Sequence, residues 1–108
     1  MITISLKLSA EGIVELCKVV GHAGAGKKGE DIICAAVSVL IRTAGRTMEG
    51  KEGVTLEGVA PDPGQAGFRL ISFQKSEREW LKGLCDGLVT GLLDVQEEYP
   101  EFCHVDLL

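Results

Sequence analysis

The sequence predicts a single α+β domain over residues 1–108, a mostly antiparallel sheet with two helices packed on one face in the order ββα-ββα-β. Three observations predict it. The chain has 108 residues, 45% hydrophobic and 25% charged, which suits one globular core without covalent staples. Its first residues alternate apolar and polar, the period of a half-buried strand. Two longer stretches, 31–46 and 76–99, repeat apolar residues at helical spacing, and strand-like segments precede each of them.

Taken in order, Ile2, Ile4, Leu6 and Leu8 face one way and Thr3, Ser5 and Lys7 the other, predicting a first strand. Ser9-Ala10-Glu11-Gly12 reads as a turn and residues 13–20 as a second strand, so the pair forms a hairpin. Four glycines between 21 and 29 then break regular structure, and residues 21–30 read as a mobile loop. A helix follows, with Asp31 at its N-cap and Ile33, Val37, Leu40, Ile41 and Ala44 on its core side. Ile32, Ala35, Ala36 and Val39 widen its apolar surface beyond one stripe, so this helix asks for cover on both sides and suggests a second subunit.

Residues 54–60 and 67–73 read as strands joined by the turn Pro61-Asp62-Pro63-Gly64. Ser76-Glu77-Arg78-Glu79 has the pattern of a capping box and opens a second helix with Leu81, Leu84, Leu88 and Leu92 on one side. It ends near Tyr99-Pro100, and Phe102 to Leu107 reads as a last strand.

Charge and composition exclude several classes. A net charge of −5 argues against direct nucleic-acid binding, which needs a basic footprint. The longest apolar run, Ile32 to Val37, is far below the roughly 20 residues of a membrane span. The N-terminus has no apolar signal region, so a cytoplasmic protein is expected. There Cys17, Cys34, Cys85 and Cys103, none in a C-x-x-C, would be reduced thiols. Cys17 and Cys85 sit in apolar patterns and read as core residues, Trp80 reads as packing, and His104 as a surface or edge residue.

Concentrated chemistry lies around the glycine-rich loop, where three functional readings stand beside a plain structural one. Gly24-Ala25-Gly26-Lys27-Lys28-Gly29 matches a phosphate-cradling G-x-G-x-x-G. However, Lys28 stands where a P-loop has Ser or Thr, and the preceding strand belongs to a hairpin. A metal site could draw on Cys17, His22, Cys34, Cys85, Cys103 and His104, but no close pair has zinc spacing. The third reading is nucleophilic catalysis. Cys34, expected in the first helical turn, would gain from the helix dipole, and His22 could fold back to it as imidazolium and later general base. Free N–H groups of that turn could hold an oxyanion, and Ser38 at i+4 shares the face of Cys34. The structural reading makes Cys34 a small core residue and the loop a plain connection.

Gly21-His22-Ala23, a glycine-bearing spacer and Gly29-Glu30-Asp31-Ile32-Ile33-Cys34-Ala35-Ala36-Val37-Ser38 together resemble the signature of the Prp family, the bacterial ribosomal-processing cysteine proteases. The resemblance extends in pattern to the length and element order of the whole chain. It implies a small α+β fold that forms homodimers through its helices. It also implies removal of a short N-terminal extension from a large-subunit ribosomal protein, the twenty-seventh, by cleavage after an aromatic residue. By position in the motif, His22 would be the base and Cys34 the nucleophile, with Asp31 and Ser38 in supporting roles. Gly21, Gly24, Gly26 and Gly29 would give a flexible loop that orders around the substrate. No metal or organic cofactor is implied, nor any membrane or nucleic-acid partner. A non-catalytic ribosome-assembly module of the same fold is the competing hypothesis. Rapid labelling of Cys34 by iodoacetamide at neutral pH would favour the enzyme.

Overall fold

The first strand, β1 (Ile2–Leu8), points Ile2, Ile4 and Leu6 inward, and all three are fully buried. Each such side chain contributes about 1.5–3 kcal/mol by leaving water. These coordinates form a computed structural model that describes residues 1–21, 28–58 and 65–108, with backbone only for 28–31 and for 65. A turn closed by Ser9 leads into β2 (Val14–Val20). The Ser9 hydroxyl accepts hydrogen bonds from the N–H groups of Glu11 (3.3 Å) and Ile13 (3.1 Å), and Gly12 takes a positive φ of 88°. This is the backbone mimicry that suits serine to turns.

Helix α1 runs from Lys28 to Glu49, longer at both ends than the spacing predicted. β3 (Val54–Gly58) and β4 (Gln65–Phe73) follow; the predicted Pro61–Gly64 turn lies outside the described residues. Gln74 precedes a short 3-10 turn at Lys75–Glu77, and α2 (Arg78–Glu98) continues from it. The expected capping box is not formed. Ser76 falls inside the 3-10 turn, and neither that turn nor α2 has a side-chain cap hydrogen bond. The chain closes with β5 (Cys103–Leu107).

All five strands join one sheet in the order β3-β4-β2-β1-β5. Every neighbouring pair is antiparallel except β1 with β5, which are parallel. The predicted α+β class, element order and mostly antiparallel sheet therefore hold. The core is shared between the sheet and the two helices. It combines Ile2, Ile4, Leu6, Val14 and Cys17 with Ile33, Val37 and Met48 of α1, and with Leu81, Cys85 and Leu92 of α2. α1 lies against β3 and β4, and α2 against β5. At that second edge Gln96 of α2 accepts a hydrogen bond from the Val105 N–H at 2.6 Å, which satisfies a donor that an edge strand leaves open. Among the described residues no helix is long and apolar enough to cross a membrane.

Two backbone approaches are too close for a side chain. A Cβ on Gly67 of β4 would lie 2.0 Å from the Cys17 carbonyl oxygen on β2. A Cβ on Gly21, whose φ is 88°, would lie 2.5 Å from the Met1 carbonyl oxygen. Gly21 follows the end of β2 and immediately precedes His22.

Candidate active site

The four cysteines divide sharply by environment. Cys17, Cys85 and Cys103 are buried and Cys34 is half-buried, with all four free thiols. Burial pushes the Cys17 thiol up to about 12, because no charge nearby offsets the cost of forming a thiolate in the core. Burial also raises Cys85, although its sulfur accepts a hydrogen bond from the Val14 N–H at 3.3 Å, and it raises Cys103. Cys17 and Cys85 are core thiols, as their apolar patterns predicted. Among the four, Cys34 alone stands at the margin of the core, half-buried and packed against it.

Because α1 begins at Lys28, Asp31 lies inside the helix and not at its N-cap, and Cys34 is its seventh residue and not a first-turn residue. The expected activation of Cys34 by the helix dipole is corrected accordingly, since that effect fades beyond the first turn. The unpaired N–H groups of the first turn likewise lie ahead of Ile32, one turn short of the thiol. Of the other predicted site residues, His22, Gly24 and Gly26 lie outside the described residues, and the side chain of Asp31 does too. Gly29 belongs to α1, and Gly21 makes the close approach to Met1 described above.

Ser38 is exposed one helical turn beyond Cys34 and lines a cleft of about 410 Å³ between α1 and the sheet. Ile41, Phe68, Leu56 and Val19 give this cleft an apolar floor, and Arg42, Arg46 and Glu49 continue its α1 wall. Ser38, Arg42 and Arg46 are spaced by four residues and wind slowly around α1 along the cleft, and Cys34 stands one turn before Ser38, outside the cleft lining. The sequence reading found Cys34 and Ser38 and missed the arginines. The recurrence at i+4 was visible, but the opposing wall comes from β3 and β4 through non-local pairing.

The remaining candidates separate. Cys103 is buried while its neighbour His104 is exposed, as alternation on a strand requires. His104 is an edge residue as predicted, yet it is not isolated: its Nε2 lies 2.8 Å from Asp106 two residues on. Trp80 packs against the core, with the Lys51 ammonium 5.2 Å from its ring centroid. Among the described residues no three His, Cys, Asp or Glu side chains gather as a metal set. The strand before the glycine-rich segment pairs antiparallel on both sides, unlike the parallel unit of a phosphate-binding βαβ fold.

Comparison with known proteins gives a consistent result. Residues 1–104 match the family described as cysteine protease Prp. Among solved structures, the ribosomal processing protease Prp of S. aureus in complex with a substrate peptide superposes with a TM-score of 0.82 at 22% identity, covering all of both chains. The same protease with a covalently linked product peptide gives a TM-score of 0.81 at 23% identity, again over all of both chains. A Streptococcus mutans protein gives 0.80 at 28% identity, over all of this chain and 94% of that one. No curated protein matches the chain significantly.

Proposed function

The chain belongs to the cysteine protease Prp family, and from that premise we propose that it is an endopeptidase in which Cys34 is the nucleophile and His22 its base. The observation that carries this reading is the contrast among the thiols. Three are buried and held protonated, while Cys34 is partly open to solvent within the family's motif. Because Cys34 sits deeper in α1 than the dipole reaches, its thiolate would depend on an imidazolium beside it, which His22 would supply.

In this mechanism the Cys34 thiolate attacks the scissile carbonyl and the imidazolium of His22 protonates the departing amine. A water, deprotonated by the now neutral imidazole, then attacks the thioester and releases the acid and the free thiol. Asp31 and Ser38 take supporting roles at the two ends of the Cys34 turn, and the glycine-bearing segment ahead of α1 contributes to substrate contact. The substrate is the N-terminal extension of the twenty-seventh large-subunit ribosomal protein, cleaved after an aromatic residue in the cytoplasm. The solved relatives of matching fold support a peptide substrate through their bound substrate and product peptides.

The active form is a homodimer through the helices. Ile32, Ala36 and Val39 follow one face of α1 and are exposed, Ile32 at 66%. Val39 and Leu40 border an apolar groove with Leu84 and Leu88 of α2. An apolar stripe of this kind on a small protein marks an association surface.

The test is cleavage of a peptide spanning the extension by wild type, Cys34→Ala and His22→Ala. One cut by wild type that is lost in Cys34→Ala and strongly slowed in His22→Ala is the expected result. Binding of the peptide without any cut, with thiols kept reduced, would replace the protease by the assembly module.

A further inference from the structure

The wall of the cleft beside α1 carries a charge pattern that the chemistry at Cys34 does not use. The protein is acidic, with a net charge of −5, and it has four arginines. Arg69 lies 3.9 Å from the Glu57 carboxylate, and Arg78 pairs with Glu11. Arg42 and Arg46 form no ion pair among the described residues, and both line the cleft. One carboxylate, Glu49, stands at the far end of the same wall, so among the described lining residues positive charge is in excess over the apolar floor of Ile41, Leu56 and Phe68.

Position along the helix turns this into a spacing. Arg42 is two turns and Arg46 three turns beyond Cys34, roughly 12 Å and 18 Å at about 1.5 Å per residue. An extended peptide advances about 3.3 Å per residue, so a chain held at Cys34 and running along α1 reaches the two guanidinium groups about four to six residues from the scissile bond.

We propose that the cleft between α1 and the sheet holds this part of the substrate chain, and that Arg42 and Arg46 select an acidic side chain there. The inference rests on the protease reading above for the location of the scissile bond. Guanidinium groups suit the task because they stay charged and offer paired donors to a carboxylate. The floor accommodates an apolar side chain from the intervening residues, with the acid beyond it.

The test uses the full chain and sets of the extension peptide carrying Glu, Gln or Lys at the fourth to sixth positions on either side of the scissile bond. Wild type is expected to prefer Glu over Gln by about five- to tenfold in kcat/KM on one side, the scale of a partly exposed ion pair, and to lose this preference as salt rises. The Arg42→Gln/Arg46→Gln double variant should erase the preference while still cutting the parent peptide, and Arg42→Glu/Arg46→Glu should turn it toward Lys. Equal cleavage of Glu and Gln peptides by wild type, or a preference unchanged in the double variant, overturns the inference while leaving the protease intact. If no peptide is cut, the protease reading fails on its own. The same peptides titrated into Cys34→Ala by fluorescence anisotropy then decide: tighter binding of Glu that requires the two arginines sustains the inference, and equal binding sinks it.

Discussion

Gly21 packs its α-carbon against the Met1 carbonyl oxygen so closely that a β-carbon there would sit 2.5 Å away, in a backbone conformation with φ of 88°. The end of β2 is thereby locked to the start of β1 just before His22. Gly21→Ala brings both a steric clash and a left-handed alanine, together costing about 2 kcal/mol or more. Chemical denaturation should show that loss. Cleavage of the extension peptide should fall in the fraction that remains folded, because the strain is released next to His22, the base in the proposed mechanism.

Alkylation distinguishes the thiols. In the native protein, iodoacetamide at neutral pH should modify Cys34 and spare Cys17, Cys85 and Cys103, which are buried and protonated. Intact mass should show a single adduct, absent in Cys34→Ala, and four adducts once the chain is denatured. Equal labelling of several cysteines in the native state would contradict the burial pattern.

Stability should fall in alkaline solution, and Cys17 gives the direction. Its folded thiol is pushed up from 9.0 to about 12, so the unfolded chain releases its proton first. The contribution is fully present below pH 9 and is lost as pH rises from there toward 12, by about 1.4 kcal/mol per pH unit for this one group. Denaturation midpoints measured at several pH values across that window should decline less steeply in Cys17→Ala than in wild type.

The Gly67–Cys17 approach predicts a severe substitution. With a Cβ 2.0 Å from backbone that cannot give way, Gly67→Ala must part β4 from β2 and should cost more than about 3 kcal/mol, among the largest effects of any single change. Gly58→Ala on the neighbouring strand is the control. No described residue lies within 4 Å of a Cβ there, and its denaturation midpoint should stay near that of wild type.

Local patterns carried most of the fold. Alternation in β1 and the leucine spacing of α2 are direct images of which side chains face the core, so both elements were legible along with their order. Boundaries were less so. Glycine density hid the first turn of α1, and the Ser76–Glu79 pattern imitated a cap although the chain had already begun to turn at Lys75. Strand order was illegible, because the β2–β4 and β1–β5 pairings join segments distant in sequence. The same limit hid half of the cleft. Cys34 and Ser38 stood out on α1, whereas Leu56 and Phe68 come to face Ser38 across the cleft only when β3 and β4 fold over.

The parallel pairing of β1 with β5 also bears on how the protein is made. A chain synthesised from its N-terminus offers β1 early, but the strand that pairs with its outer edge, from Cys103 to Leu107, is translated after the other four strands. Until then Ile2 and Ile4 lack the cover of Cys103 and Val105. A stalled or prematurely terminated chain therefore leaves this seam open, with β1 offering an unpaired edge to other chains or to degradation. Closure of the sheet on this side therefore waits for residues 103–107, and a chain cut short ahead of them keeps an open edge at β1.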